Sequence, residues 1–313
     1  MTSSARSLIL HVGLPKTGTS SLQRWFHQHR LELRASGLDY PDPLDQNEHK
    51  HGFVTPELRH TATSRTLQEI LNRSQQPRIL ISNEGLSNHF HDFSGAALEA
   101  FRKMTSSYTV EVIVITRDKA AWLKSYHKQC VLNPNIDASD LWGTDLTVDE
   151  ISNHYRVIRL LDTNRLLPDL RVGFGASHVH HVEYGDDNWV GKILQILGVD
   201  QLQNHALPQV NTSLPDWSIE WLRHVNSLYA EQQDRALWKH LLRVFLSINN
   251  SELVRSTERL GTGRHIAVDL ETLAALEQRV VDSSEIKSSS QRADVRTFAG
   301  FVRRQARHGT ITP

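Results

Sequence analysis

The 313 residues carry 35 Lys and Arg against 35 Asp and Glu, a formal charge of zero, and are 39% hydrophobic and 22% charged. This is the composition of an ordinary globular chain, long enough to bury one large core or two modest ones. The charge balance gives no global attraction to nucleic acid, anionic lipid or a polyanionic glycan. No stretch approaches the roughly 20 apolar residues of a membrane span, and the first apolar strand begins at about Leu8, which predicts that no signal peptide precedes it. Cys130 is the single cysteine, so no intrachain disulfide can form. Cytoplasm is the expected compartment.

The first apolar run, Leu8 to Leu10, leads into Val12 to Ser21, VGLPKTGTSS, and then into a helical pattern of Leu22, Trp25, Phe26, His29 and Leu33. A glycine-bearing turn thus joins a buried strand to a helix. Gly13 and Gly18 permit a tight turn, and the N–H groups and dipole at the helix start favour a phosphate. Thr17, Thr19, Ser20 and Ser21 are expected to add hydroxyl donors.

Gly37 to Gly52 reads as a long polar loop, and Ser64 to Arg73 as a polar helix. A second strand, Arg78 to Ser82, ends at Asn83-Glu84-Gly85. A helix bearing Ala96, Leu98, Phe101 and Met104 separates it from the strongest strand, Val110 to Thr116. That strand ends at Arg117 and gives way to a helix over Lys119 to Val131. Asn133 to Asp145 reads as a loop, Val148 to Leu167 as one long helix, Ser177 to Tyr184 as a further strand, and the segment from Asp186 to Gly198 as a helix. Beyond Pro215 the pattern is helical. Asp282 to Asp294 is expected to be flexible, and the segment with Val295, Phe298 and Val302 to be a docked helix or a frayed tail.

The alternation predicts an α/β, three-layer P-loop-like fold: a central parallel sheet flanked by helices, with a helical C-terminal region. A single domain is expected over 1–313, with its α/β core at about 7–200, a helical extension at about 201–281 and the polar and terminal segment at 282–313. Ligands of such sheets bind beyond the carboxyl ends of the strands, where the loop, Glu84 and Arg117 all fall. Ser125, about 9 Å along the next helix at ~1.5 Å per residue, is positioned to share a phosphate with Arg117. Taken alone, Arg117 reads equally well as half of a surface ion pair, and Glu84 as a helix cap or a lysine partner.

The separation of Gly13 and Gly18 matches the Walker A spacing, yet Thr19 stands where that pattern requires lysine, and the lysine is displaced to Lys16. PKTGTSS resembles the 5′-phosphosulfate loop of the sulfotransferase family, which uses 3′-phosphoadenosine 5′-phosphosulfate (PAPS). Arg117 and Ser125, eight residues apart, are similar to that family's 3′-phosphate pair, and LISNEGLS resembles the strand end that presents a glutamate base in its glycan-directed and bacterial members. The resemblance implies a PAPS-dependent enzyme. Pro15, Lys16, Thr17, Gly18, Thr19, Ser20, Arg117 and Ser125 would hold PAPS, Lys16 and Glu84 would be catalytic, and a small-molecule or glycan hydroxyl or amine would be the acceptor, without a metal.

RLGTGR, Arg259 to Arg264, is similar to the family's late glycine-and-basic loop and reads equally as a turn between helices. His49, His51, His89 and His91 read as ordinary polar loop residues, with an acceptor-pocket lining or an alternative base as the other readings. His178, His180 and His181 alternate between strand faces and make a poor metal set. A P-loop kinase or nucleotide triphosphatase, and a catalytically silent nucleotide-binding module, are the rival readings.

Overall fold

The computed structural model describes residues 6–42, 49–134, 140–202, 206–208, 214–229, 232–249 and 269–307. Five strands, β1 (Arg6–His11), β2 (Leu38–Asp39), β3 (Arg78–Ser82), β4 (Tyr108–Thr116) and β5 (His178–Glu183), form one sheet in the order β2-β3-β1-β4-β5, all parallel. The central strands bury both faces, which is why they read as unbroken apolar runs rather than as alternation. Ile9 pairs with Leu80 on one side and Glu111 on the other, and Leu10 with Ile81 and Val112.

Between β1 and β2 come α1 (Thr19–Gln28) and α2 (Arg30–Ala35), and between β2 and β3 come α3 (Val54–His60) and α4 (Arg65–Arg73). The single helix expected from Leu22 to Leu33 is therefore broken at His29, whose φ of −103° and ψ of 21° leave the helical region. Within the expected loop Gly37 to Gly52, Leu38 and Asp39 pair with Arg78 and Ile79 as the edge strand. Ser64 caps α4 by accepting from the Leu67 amide. The short α5 (Gly85–Asn88), a 3₁₀ turn (Phe90–Asp92) and α6 (Gly95–Met104) lead to β4, and α7 (Lys119–Leu132) follows it.

The expected long helix after Val148 is three helices: α8 (Val148–Ser152), α9 (Tyr155–Leu161) and α10 (Thr163–Phe174). The breaks fall at polar clusters: His154 caps α9 by accepting from the Arg156 amide, and Asp162 flanks both α9 and α10. After β5, α11 (Trp189–Ile196) ends before Gly198, which has the positive φ of 60° that Gly adopts without penalty. A 3₁₀ turn (Asp200–Leu202) follows.

The chain divides into two compact units, one of residues 1–123 and 152–210 and the other of 124–151 and 211–313. In the first, Leu22, Trp25 and Phe26 of α1 and Ile193 and Leu194 of α11 bury against Ile9, Leu80, Ile113, Ile115 and Val182 of the sheet. Removing a wholly buried ring such as Phe26 would cost about 3–5 kcal/mol. The second unit contains α12 (Asp216–Leu228), α13 (Gln232–Asn249), α14 (Leu270–Asp282) and α15 (Ser289–Arg307). Trp217, Trp221, Trp238, Phe245, Leu276 and Phe298 share its core with Val131.

The run Asp282 to Asp294, expected to be flexible, is instead the end of α14, a hydrogen-bonded turn and the start of α15. Ser283 Oγ donates to Glu220 there. Of the two readings of the last segment the docked helix is the one observed, with Val295, Phe298 and Val302 wholly buried. Arg259 to Arg264 lies outside the described residues. Among the described residues no helix is long and apolar enough to cross a membrane.

Candidate functional site

The turn after β1 is held from several sides by groups at neighbouring strand ends. The backbone N–H groups of Val12 and Leu14 donate to the carbonyls of Ile113 and Ile115, so the chain runs on beside β4 past the end of β1. Ser87 of α5 donates its hydroxyl to the Gly13 carbonyl (3.3 Å), and the Trp122 indole N–H of α7 donates to the Pro15 carbonyl (2.7 Å). Thr17, expected as a ligand donor, is wholly buried and gives its proton to the Leu14 carbonyl (2.6 Å), bracing the turn internally.

The turn closes through two left-handed residues, Lys16 with φ 68° and Gly18 with φ 76°. At Gly18 a Cβ would come within 2.7 Å of the Tyr184 ring and 3.0 Å of Trp189, so glycine is required there for both conformation and space. Lys16 has no such freedom, and a non-glycine residue held in this region costs about 1–3 kcal/mol. Gly18 is also the N-cap of α1. It offers no side-chain cap, and the first turn contains no acidic residue. The first amides of α1 thus present an uncompensated positive dipole end, the arrangement that binds phosphate and sulfate groups. Thr19 is buried beside Gly13, and Ser20 is exposed in the first turn.

Glu84 lies one strand over, beyond β3. Asn83 fixes the turn that presents it: its Oδ1 accepts from the Gly85 amide, and its Nδ2 donates to the His51 carbonyl and to Thr55. The Glu84 side chain is 20% exposed and takes one hydrogen bond on each oxygen, from Lys50 Nζ (3.1 Å) and from Gln23 Nε2 of α1 (2.9 Å). Burial alone would raise its pKa, but the Lys50 charge and the Gln23 donor outweigh it and hold the carboxyl below its usual range. The lysine partnership, one of the readings open from the sequence, is therefore present. No side-chain cap from Glu84 to α5 is formed.

Arg117 lies beyond β4, on the other side of β1, with its guanidinium 5.2 Å from the centre of the Tyr184 ring. Among the described residues it makes no ion pair, so the surface pairing open from the sequence is not formed. Ser125 follows in α7, half-buried, on the part of that helix that belongs to the second unit.

The histidines resolve differently from one another. His51 is wholly buried, accepts from the Ser82 amide on Nδ1 and donates from Nε2 to the Pro41 carbonyl, so it is a fixed part of the sheet margin rather than a pocket residue. His89 is committed to Asp92 and Asn88. Asp92 in turn takes both guanidinium nitrogens of Arg156. His180 pairs with Glu111 and His181 with Thr116. Among the described residues no group of three or more His, Cys, Asp and Glu is placed to hold a metal.

Sequence reasoning passed over Gln23, Lys50, Tyr184 and His11. Gln23 is a buried polar residue inside the apolar stripe of α1, a visible anomaly. His11 lies on the central strand, shares a hydrogen bond with Ser82 through Nδ1, and keeps Nε2 buried without a partner beneath Gly13. Lys50 carried no local signal, since its role arises from a contact with a residue 34 positions away. The site thus brings together an uncapped helix start, a lysine in a left-handed turn, a clamped carboxylate and an arginine at three adjacent strand ends. A scan against protein-family models and a search of curated proteins returned no match to the chain.

Proposed function

We propose that the protein is a PAPS-dependent sulfotransferase that transfers a sulfuryl group to an acceptor hydroxyl or amine. The observation that carries this reading is the turn Pro15 to Gly18, with Lys16 inside it and Thr19, rather than lysine, opening an uncapped helix. A phosphoryl-transfer loop of Walker type needs its lysine after the second glycine and a metal to neutralise charge. A sulfuryl group bears less negative charge, so a lysine with backbone donors can serve without magnesium.

In this reading the backbone amides of Gly18, Thr19 and Ser20 and the Ser20 hydroxyl receive the 5′-phosphosulfate, while Arg117 takes the 3′-phosphate. Ser125, eight residues on, is the expected companion of Arg117. The acceptor oxygen attacks sulfur, the bond from sulfur to the bridging oxygen breaks, and the electron pair stays on that oxygen as 3′,5′-bisphosphoadenosine leaves. Lys16 stabilises the growing charge, an effect worth about 3–4 kcal/mol for a preorganised donor. Glu84 receives the acceptor proton. Held ionised by Lys50 and Gln23, it is ready to accept, and the transfer is completed as the forming bond to sulfur acidifies the attacking group.

A small molecule or glycan is the proposed acceptor. The buried, unbridged Cys130 fits action in a reducing compartment such as the cytoplasm. Incubating the protein with ³⁵S-labelled PAPS and a panel of hydroxyl and amine acceptors, with mass analysis of labelled products, tests the proposal. Magnesium-dependent ATP turnover without sulfate transfer would replace it with the nucleotide triphosphatase reading.

A further inference from the structure

Gln23 and Lys50 tie α1 and the segment beginning at His49 to opposite oxygens of Glu84. Beside that junction the same two elements meet again. His27, one turn on from Gln23, places its ring 4.8 Å from that of His49, the residue before Lys50. Arg24, three residues before His27, shares its face of α1. The Nδ1 atoms of His27 and His49 and the Nε of Arg24 are all buried and without a hydrogen-bond partner.

The groups around this cluster are predominantly of one sign. Burial and then Arg30 lower the pKa of His27, and burial, His27 and Arg24 lower that of His49. Among the described residues the neighbouring carboxylates are engaged, Glu84 by Lys50 and Gln23 and Asp42 by Arg30. With Arg30 and Lys50 each paired, Arg24 is left among the described residues as a cation without an ion pair, beside two neutral imidazoles, and buried polar atoms without partners demand an explanation. The cluster also lies on the β3 side of β1, with Glu84, whereas Arg117 lies on the β4 side. It is therefore separate from Arg117, the group assigned to the 3′-phosphate.

We infer that Arg24, His27 and His49 form an anion subsite for the acceptor, so that the molecule offering its hydroxyl to Glu84 also carries a carboxylate or sulfate group. The planar guanidinium suits such oxyanions, and either imidazole can donate from a ring nitrogen. The word acceptor rests on the sulfuryl-transfer reading; the anion subsite itself does not.

The test uses the full chain with ¹⁵N-labelled histidine, saturated with 3′,5′-bisphosphoadenosine and titrated with methyl β-D-glucuronide, inorganic sulfate or the neutral methyl β-D-glucoside. Imidazole resonances are assigned through His27→Gln and His49→Gln. The glucuronide and sulfate are expected to shift both rings and the glucoside neither. Affinity is expected to fall at least about tenfold in Arg24→Gln and by less in Arg24→Lys, which keeps the charge but not the planar fork.

Equal binding of glucoside and glucuronide, or no shift of His27 and His49 with either anion, overturns the subsite. If Arg24→Gln does not fold, the titration of the unmodified chain decides alone. Failure of bisphosphoadenosine to bind, with the anion shifts intact, defeats the sulfotransferase reading and leaves the subsite standing.

Discussion

The ammonium of Lys50 lies 3.1 Å from Oε1 of Glu84, bridging a loop residue to the end of a strand on the side of the sheet away from Arg117. This contact fixes the charge state of the proposed base. Replacing Lys50 with Met removes the neighbouring positive charge, so the Glu84 pKa rises towards its ordinary value. The acidic limb of the pH profile of kcat/KM should then move to higher pH, and an unmoved limb in a pH series of the two enzymes would show that Glu84 is not the titrating base.

Glu84→Gln keeps the shape of the side chain while removing its basicity. Turnover should fall by about 10²- to 10⁴-fold, with the affinity for 3′,5′-bisphosphoadenosine nearly unchanged because Glu84 is not assigned to the nucleotide. Single-turnover kinetics with calorimetric titration of the nucleotide separates the two effects. A variant with full turnover would reduce Glu84 to the partner of Lys50 and Gln23.

Lys16 and Arg117 should divide the labour differently. Lys16→Gly preserves the left-handed backbone at φ 68° and removes the charge, so turnover should drop about 10²- to 10³-fold while the nucleotide still binds. Arg117→Ala should instead weaken 3′,5′-bisphosphoadenosine by about 10- to 100-fold, the value of a charge-assisted contact. An Arg117 variant with unchanged affinity would remove that residue from the site.

Gly18→Ala places a methyl group 2.7 Å from the Tyr184 ring and forces alanine to φ 76°. The fold should lose at least about 2 kcal/mol in a urea titration, from strain and overpacking together. Recovery of that loss in Gly18→Ala combined with Tyr184→Ala would assign it to the clash rather than to the backbone.

Acid should weaken the first unit before its carboxylates protonate. Burial pushes His11 and His51 each down to about 4 from an ordinary 6.5. A depressed histidine pKa means that the unfolded chain binds protons the folded one refuses. The full benefit is present above pH 6.5 and is lost as pH falls from 6.5 to 4, at roughly 3 kcal/mol for each histidine. Urea midpoints measured across this window should fall with pH, and His11→Asn should flatten the slope.

The strand ends were legible because each follows an unbroken apolar run, and an open parallel sheet puts chemistry at such ends. Lys16, Glu84 and Arg117 were expected at such ends and lie there. That the Thr17 hydroxyl bonds a carbonyl three residues back is a choice of partner that leaves no mark in the sequence. Lys50 and Tyr184 acquire their roles through tertiary contacts that carry no local periodicity. The breaks between α8, α9 and α10 were signalled by Asn153-His154 and Asp162-Thr163, but the apolar spacing on both sides remained nearly continuous and outweighed them.

The division into two units has a consequence for synthesis and dissection. Residues 124–151 belong to the helical unit, yet they precede β5, the strand that completes the sheet. Val131, from this early stretch, is buried among residues of α12, α14 and α15. The units are therefore interleaved along the chain. During translation β5 is made only after part of the second unit has already emerged, and Val131 waits for helices made later still. No single proteolytic cut releases either unit whole, and a fragment ending near residue 210 would contain the complete sheet together with the second half of α7, whose Val131 would be left without its core partners.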